Sequence, residues 1–128
     1  MPVLLFVYGT LKRDSRGKRH PLLRDARFVT LASMLGSLYD LGPYPGVVRD
    51  SKTRRVFGEL YEIPGTIAER SLDALDWYEG RDFIRRHVVI RMRDGSRRSA
   101  WAYLLRRRPP KSARQLESGR YSRRREAP

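Results

Sequence analysis

One stretch of this chain carries the periodicity of an amphipathic helix, and that helix ends on an acid. Residues 66–80 read TIAERSLDALDWYEG, and Pro64 and Gly65 break the segment before them. Thr66 is the expected N-cap, and Glu69 three residues later completes a capping box. At about 100° per residue, Ala68, Leu72, Leu75 and Glu79 fall within roughly 60° of one another. The first three form a stripe that faces a core, so Glu79 ends the helix on its buried side. Gly80 stands where a helix needs a residue free to turn left-handed. Burial and the negative end of the helix dipole both disfavour an ionised carboxylate there, so the pKa of Glu79 should rise. Asp76, about 40° off the same stripe, is the competing acid.

The remaining periodicity is that of strands. Residues 3–8 are an unbroken apolar and aromatic run, expected to form a central strand buried on both faces. The run ends in Gly9-Thr10-Leu11, where a glycine lets main-chain N–H groups turn into a cavity and hold a carboxylate or an oxyanion. The phosphate-loop pattern is absent, because Gly17-Lys18 is followed by Arg19. A short helical turn is expected over residues 20–23, with His20 as a capping or surface imidazole. Strands are expected over 27–31 and 35–39, broken near Ser33 and Met34. The Pro- and Gly-rich loop 40–46 imposes a defined path, and a short strand begins at Val47. Residues 56–63 form the next strand, where Gly58 allows a close backbone approach.

After the helix, Ile84, Val88, Ile90 and Met92 share one strand face, while Arg85, His87 and Arg91 take the other. Asp94-Gly95 marks a hairpin turn, and residues 100–105 return with Trp101, Tyr103 and Leu105 on one face. His87 reads as a surface residue. The order of elements predicts an α+β fold, a small mixed β-barrel or strongly curved sheet with one main helix packed alongside.

Composition then excludes several chemistries. The sequence has no Cys and only two His, so disulfides, thiolate nucleophiles and thiolate or histidine-rich metal sites are not expected. The apolar N-terminus is shorter than a membrane span and lacks a basic leader, so a cytoplasmic location is expected. The net charge of +14 invites a nucleic-acid reading. Half of that excess lies in residues 106–128, where nine Lys or Arg face two Glu. These residues are expected to form a basic, frayed tail after a domain spanning residues 1–105.

Four separated pieces occur in an order that matches one family. They are Val7-Tyr8-Gly9-Thr10-Leu11, Tyr44-Pro45-Gly46, residues 56–61, and the Leu72-Asp73-x-Leu75-Asp76-x-x-Glu79-Gly80 run. The chain resembles the gamma-glutamyl cyclotransferase-like superfamily, also called avirulence-induced-gene-like, and within it the small bacterial branch related to gamma-glutamylamine cyclotransferases. The resemblance implies a small mixed barrel and an intramolecular aminolysis that releases 5-oxoproline and a free amine or amino acid. It implies a small gamma-glutamyl substrate and no cofactor. It assigns general acid/base work to Glu79 and the pocket lining to Tyr8, Gly9, Thr10 and Leu11. Two departures stand out. Phe83-Ile84-Arg85 replaces a usual Tyr-x-Arg, losing one hydroxyl, and Arg19 stands where an Asn often precedes the histidine of the early loop.

Tyr44, Phe83, Arg85 and Tyr103 are the further candidates for substrate contact. For Arg85 a salt bridge on the strand surface is the alternative, and the aromatics could equally be core. Two other functions compete with the enzyme. One is a noncatalytic member of the fold that only binds a small molecule. The other is a basic protein that meets nucleic acid through its tail. No membrane partner is expected, and the pattern fixes no oligomeric state.

Overall fold

A computed structural model describes residues 1–122, and residues 123–128, the end of the expected tail, lie outside the described residues. Five strands close into a barrel in the order β1–β5–β2–β6–β7. They are β1 (Val3–Val7), β2 (Arg27–Leu35), β5 (Arg55–Ile63), β6 (Phe83–Met92) and β7 (Arg97–Leu105). The pairs are antiparallel except at the closure, where β1 runs parallel to β7 and Leu5 pairs with Trp101. A second sheet places β3 (Ser37–Asp40) between β4 (Pro45–Val48) and β8 (Arg114–Gln115). One helix, α1 (Ala68–Glu79), packs on the outside of the barrel, and a 3-10 turn spans Pro21–Leu23.

Strand alternation divides the core in two. On β1 and at Tyr8 just after it, Phe6 and Tyr8 belong to the core inside the barrel, while Leu5 and Val7 belong to the outer core beneath α1. On β7, Ala100, Ala102 and Leu104 face inward, and Trp101, Tyr103 and Leu105 face the helix side. A strand sandwiched this way must be apolar at successive positions, which explains the run over residues 3–8. The helix contributes Ala68, Leu72 and Leu75 to the outer core. Gly58 is required by contact: a Cβ there would sit 2.1 Å from the Val7 carbonyl oxygen.

Three expectations differ from the structure. The helix begins one residue later than the capping box predicts. Ile67 is the N-cap and no side chain caps it; the chain turns instead through the Ile67 N–H on the Pro64 carbonyl and the Ala68 N–H on that of Gly65. The strand that was expected to break near Ser33 runs on to Leu35, because Ala32, Ser33 and Met34 pair with both β5 and β6. The break falls at Gly36, where a Cβ would stand 3.0 Å from the Val48 carbonyl oxygen.

Residues 106–122 are docked, where charge alone predicts fraying. Residues 114–115 pair with β3, and the Leu116 N–H donates to the Leu38 carbonyl at 2.8 Å. Phe57 N–H donates to the Gly119 carbonyl at 2.8 Å, and the Tyr121 side chain is buried in the barrel-side cluster. Lys12 Nζ donates to the Tyr121 carbonyl at 2.7 Å. A few apolar residues spaced among the arginines suffice, because the segment completes a sheet edge that would otherwise stay open. Among the described residues no helix is long and apolar enough to cross a membrane.

Candidate active site

The end of β1, the start of β4 and the end of α1 converge on one small cavity. The turn after β1 is closed by the Lys12 N–H on the Gly9 carbonyl at 3.0 Å, and it lays Gly9, Thr10 and Leu11 along the wall. Gly9 has no room for a side chain, since a Cβ would lie 2.7 Å from Pro45 Cγ. Tyr8, Tyr44, Phe83 and Tyr103 complete an aromatic lining, and Glu79 supplies its carboxylate. The space open to water inside this pocket is about 30 Å3, enough for one or two water molecules.

Glu79 arrives there because α1 ends at that residue. Gly80, at φ +81, turns the chain away, and its N–H closes the last turn on the Asp76 carbonyl at 3.1 Å. Burial pushes the Glu79 carboxyl up to about 7. Among the described residues no arginine or lysine pairs with Glu79. Its charge reaches the lining tyrosines. Burial and then Glu79 push the Tyr8 hydroxyl well above its usual range. Tyr103 is likewise raised, by burial first, then its hydrogen bond to Asp76, with Glu79 adding to the effect.

A hydrogen-bonded chain fixes the aromatic wall. The Tyr8 hydroxyl donates to the Tyr103 carbonyl at 2.6 Å. The Tyr103 hydroxyl donates to Asp76 Oδ1 at 2.5 Å. Arg85 grips the same carboxylate with two bonds, Nε to Oδ1 at 2.8 Å and Nη2 to Oδ2 at 3.1 Å. Its guanidinium also lies 4.3 Å from the Trp101 ring centre. On the other side, Tyr44 donates to Asp82 Oδ2 at 3.0 Å and meets Phe83 edge-on at 5.5 Å. Thr10 Oγ1 lies 3.4 Å from the Tyr78 hydroxyl, beside Glu79 in sequence.

The structure therefore brings Glu79, Tyr8, Gly9, Thr10, Leu11, Tyr44, Phe83 and Tyr103 around one space and leaves Arg85 outside it. Arg85 is held by Asp76, so its part is to fix the helix and Tyr103. His20 caps the 3-10 turn by accepting from the Leu22 N–H at 3.1 Å, and His87 is exposed with its ring against Trp101 at 3.7 Å. Sequence reasoning missed Pro45 as a wall and Asp82 as the anchor of Tyr44. Pro45 stands in the Tyr-Pro-Gly element and Asp82 two residues past Gly80, so both positions carried a signal. Among the described residues no group of three His, Cys, Asp or Glu side chains comes together to hold a metal ion.

The family model described as gamma-glutamyl cyclotransferase, AIG2-like matches residues 5–123. The chain belongs to that family. The match includes the docked residues after 105 as well as the barrel. Among solved structures, ytfP of Escherichia coli is 31% identical, with 94% of this chain and 96% of that one covered and a TM-score of 0.59. An AIG2-like protein of Mus musculus is 22% identical over 99% of both chains, TM-score 0.69, a likeness of fold. YkqA of Bacillus subtilis is 27% identical with a TM-score of 0.72; 94% of this chain covers 40% of that one. No curated protein matches the chain. The small mixed barrel with one helix alongside is the fold of this family.

Proposed function

We propose that this AIG2-like protein is a cyclotransferase that releases 5-oxoproline from a gamma-glutamyl amide, with Glu79 as general acid and base. The observation that carries the reading is the placement of that one carboxylate. It is partly buried, raised to about 7, unpaired with any cation among the described residues, and it lines the same cavity as Gly9, Thr10 and Leu11. A carboxyl poised near neutrality can accept and return a proton in one catalytic cycle.

The substrate enters with its α-ammonium near Glu79. Glu79 takes one proton from that ammonium, and the freed amine attacks the γ-carbonyl carbon of the same molecule. The new C–N bond closes a five-membered ring, and the carbonyl oxygen becomes an oxyanion that the N–H groups of residues 9–11 would hold. Collapse of the tetrahedral centre breaks the amide C–N bond as Glu79 gives its proton to the departing nitrogen; Glu79 then takes the second proton from the ring nitrogen, leaving the lactam N–H, and passes it to the freed amine. Ring closure is already unimolecular, so the enzyme's task is to fold the substrate and exclude water. The rigid wall of Tyr8 and Tyr103 serves that folding. Tyr44, whose hydroxyl is tied to Asp82 at the rim, is the side chain that must yield to admit a group larger than the present space.

The test is release of 5-oxoproline from a panel of gamma-glutamyl compounds by the wild type and by Glu79→Gln. The variant should keep the fold and lose on the order of 10²–10⁴ in turnover. Full release by the variant would reject the assignment, and no release by the wild type on any member of the panel would favour a binding module instead.

A further inference from the structure

Beyond Tyr44 lies a larger cleft of about 700 Å3, lined by Leu41, Arg81, Asp82, Leu105 and the segment 106–110. One hydrogen bond links its lining to that of the Glu79 cavity. Asp82, on the cleft side, takes the hydroxyl of Tyr44, on the cavity side. The chain around this wall is stiffened by Arg106, whose N–H donates to the Asp82 carbonyl at 2.8 Å, and whose side chain donates to the carbonyls of Arg81 at 3.1 Å and Phe83 at 3.3 Å. Four arginines and one aspartate thus line the cleft.

These arginines are not equally engaged. Arg108 pairs with Asp50 at 3.3 Å, and Arg106 is committed to main-chain carbonyls. Arg81 and Arg107 are exposed, and neither enters a salt bridge among the described residues. The one acid of the cleft already accepts from Tyr44. Two guanidinium groups therefore border a ligand-sized space beside the Glu79 cavity, and neither is paired with the cleft's one carboxylate, Asp82, or with any other acid among the described residues.

We propose that this cleft is the subsite for the leaving amine, and that it selects gamma-glutamyl conjugates whose amine portion carries two acid groups. The inference rests on the cyclotransferase reading for the nature of the ligand. The cavity beside Glu79 cannot contain a whole conjugate, so the part beyond the scissile amide must project outward. When Tyr44 yields, the cavity and the cleft become one channel, and the outgoing group meets Arg81 and Arg107. One guanidinium can hold a carboxylate through two parallel bonds, so two of them match a diacid such as an aspartyl or glutamyl amine. A neutral alkylamine would leave both unused.

Binding can be read without turnover by using desamino analogues, which lack the attacking nitrogen. Glutaryl-aspartate and N-methylglutaramate are titrated against the wild type, Arg81→Gln/Arg107→Gln, and Arg97→Gln/Arg98→Gln as a charge-matched control on the far hairpin. The wild type and control should bind glutaryl-aspartate at least about 10-fold more tightly than N-methylglutaramate. The Arg81/Arg107 variant should lose that preference while binding N-methylglutaramate as before. Equal affinity of the wild type for the two analogues, no binding of either, or a preference that survives in the Arg81/Arg107 variant would overturn the subsite. Release of 5-oxoproline is measured separately with gamma-glutamyl-aspartate. A wild type that shows the binding preference but no release keeps the subsite and loses the catalytic reading. Equal release from gamma-glutamyl-aspartate and gamma-glutamyl-methylamide, with equal binding of their analogues, does the reverse.

Discussion

Asp76 and Glu79 lie one turn apart on α1 and are driven in opposite directions. The Arg85 guanidinium, with help from the Tyr103 hydroxyl, holds Asp76 below its ordinary range. Three residues later burial carries Glu79 up to about 7. A pair of acids separated in this way divides the labour: one stays ionised and holds structure, the other can exchange a proton near neutral pH.

The pH profile should report this division. With Glu79 required as a base in the free enzyme, kcat/KM should fall as pH drops through about 7. That limb should vanish from the residual activity of Glu79→Gln. An unchanged limb in the variant would assign it to another group, and initial rates of 5-oxoproline release from pH 5 to 9 decide the matter.

The same carboxylate should cost the protein stability. Its folded pKa lies above the ordinary 4.5, so the native state holds this proton more tightly than the unfolded chain does. Stability from this group is therefore full below about 4.5 and is lost as pH rises through about 7. Glu79→Gln should accordingly be more stable than the wild type at pH 8 by roughly 1–3 kcal/mol, and the difference should shrink towards zero by pH 4. Urea denaturation at the two pH values measures it. A variant that gains stability while losing turnover is the mark of a functional strain, not of a packing defect.

Asp76→Asn should behave in the opposite sense. A depressed carboxyl contributes stability above its unfolded value near 3.8, and that contribution is lost as pH falls through the lower folded value. The Asp76 side chain is 42% exposed, so screening holds the loss at neutral pH to on the order of 1 kcal/mol. Turnover should drop by less than about tenfold, through a loosened Tyr103, far less than for Glu79→Gln. Thermal melts at pH 7 and pH 3, beside the assay, separate the two acids.

Removing residues 106–128 should damage the fold and not merely discharge it. The cut uncovers the β3 edge, deprives Phe57 of its Gly119 carbonyl and empties the place of Tyr121. Loss of one buried aromatic alone costs about 3 kcal/mol or more. The truncated chain should melt well below the full one at equal ionic strength. Equal melting temperatures would show the segment to be energetically idle.

Much of this architecture was legible in the chain because two faces leave two patterns. The double burial of β1 appears as unbroken apolar residues, and the outer core as the Ala68, Leu72 and Leu75 stripe that carried Glu79 with it. Gly58 marks the close approach that the Val7 carbonyl makes. What stayed hidden depends on contacts distant in sequence. The docking of Tyr121 depends on an open edge at β3, which local charge cannot reveal. Arg85 sits on a strand face that reads as surface, and only the return of α1 over that face delivers Asp76 to it. The late start of the helix reflects main-chain turns at residues 64–68 doing what Thr66 was expected to do.

The pairing of β1 with β7 has a consequence for biogenesis. The barrel's first strand in chain order must wait for its last, since Leu5 finds Trp101 only when nearly the whole barrel has been made, and β3 waits longer still for Arg114. Contacts so remote along the chain close slowly. No shorter nascent piece has a finished barrel to settle into, so both sides of the hollow beside Glu79 come into being together, at the end.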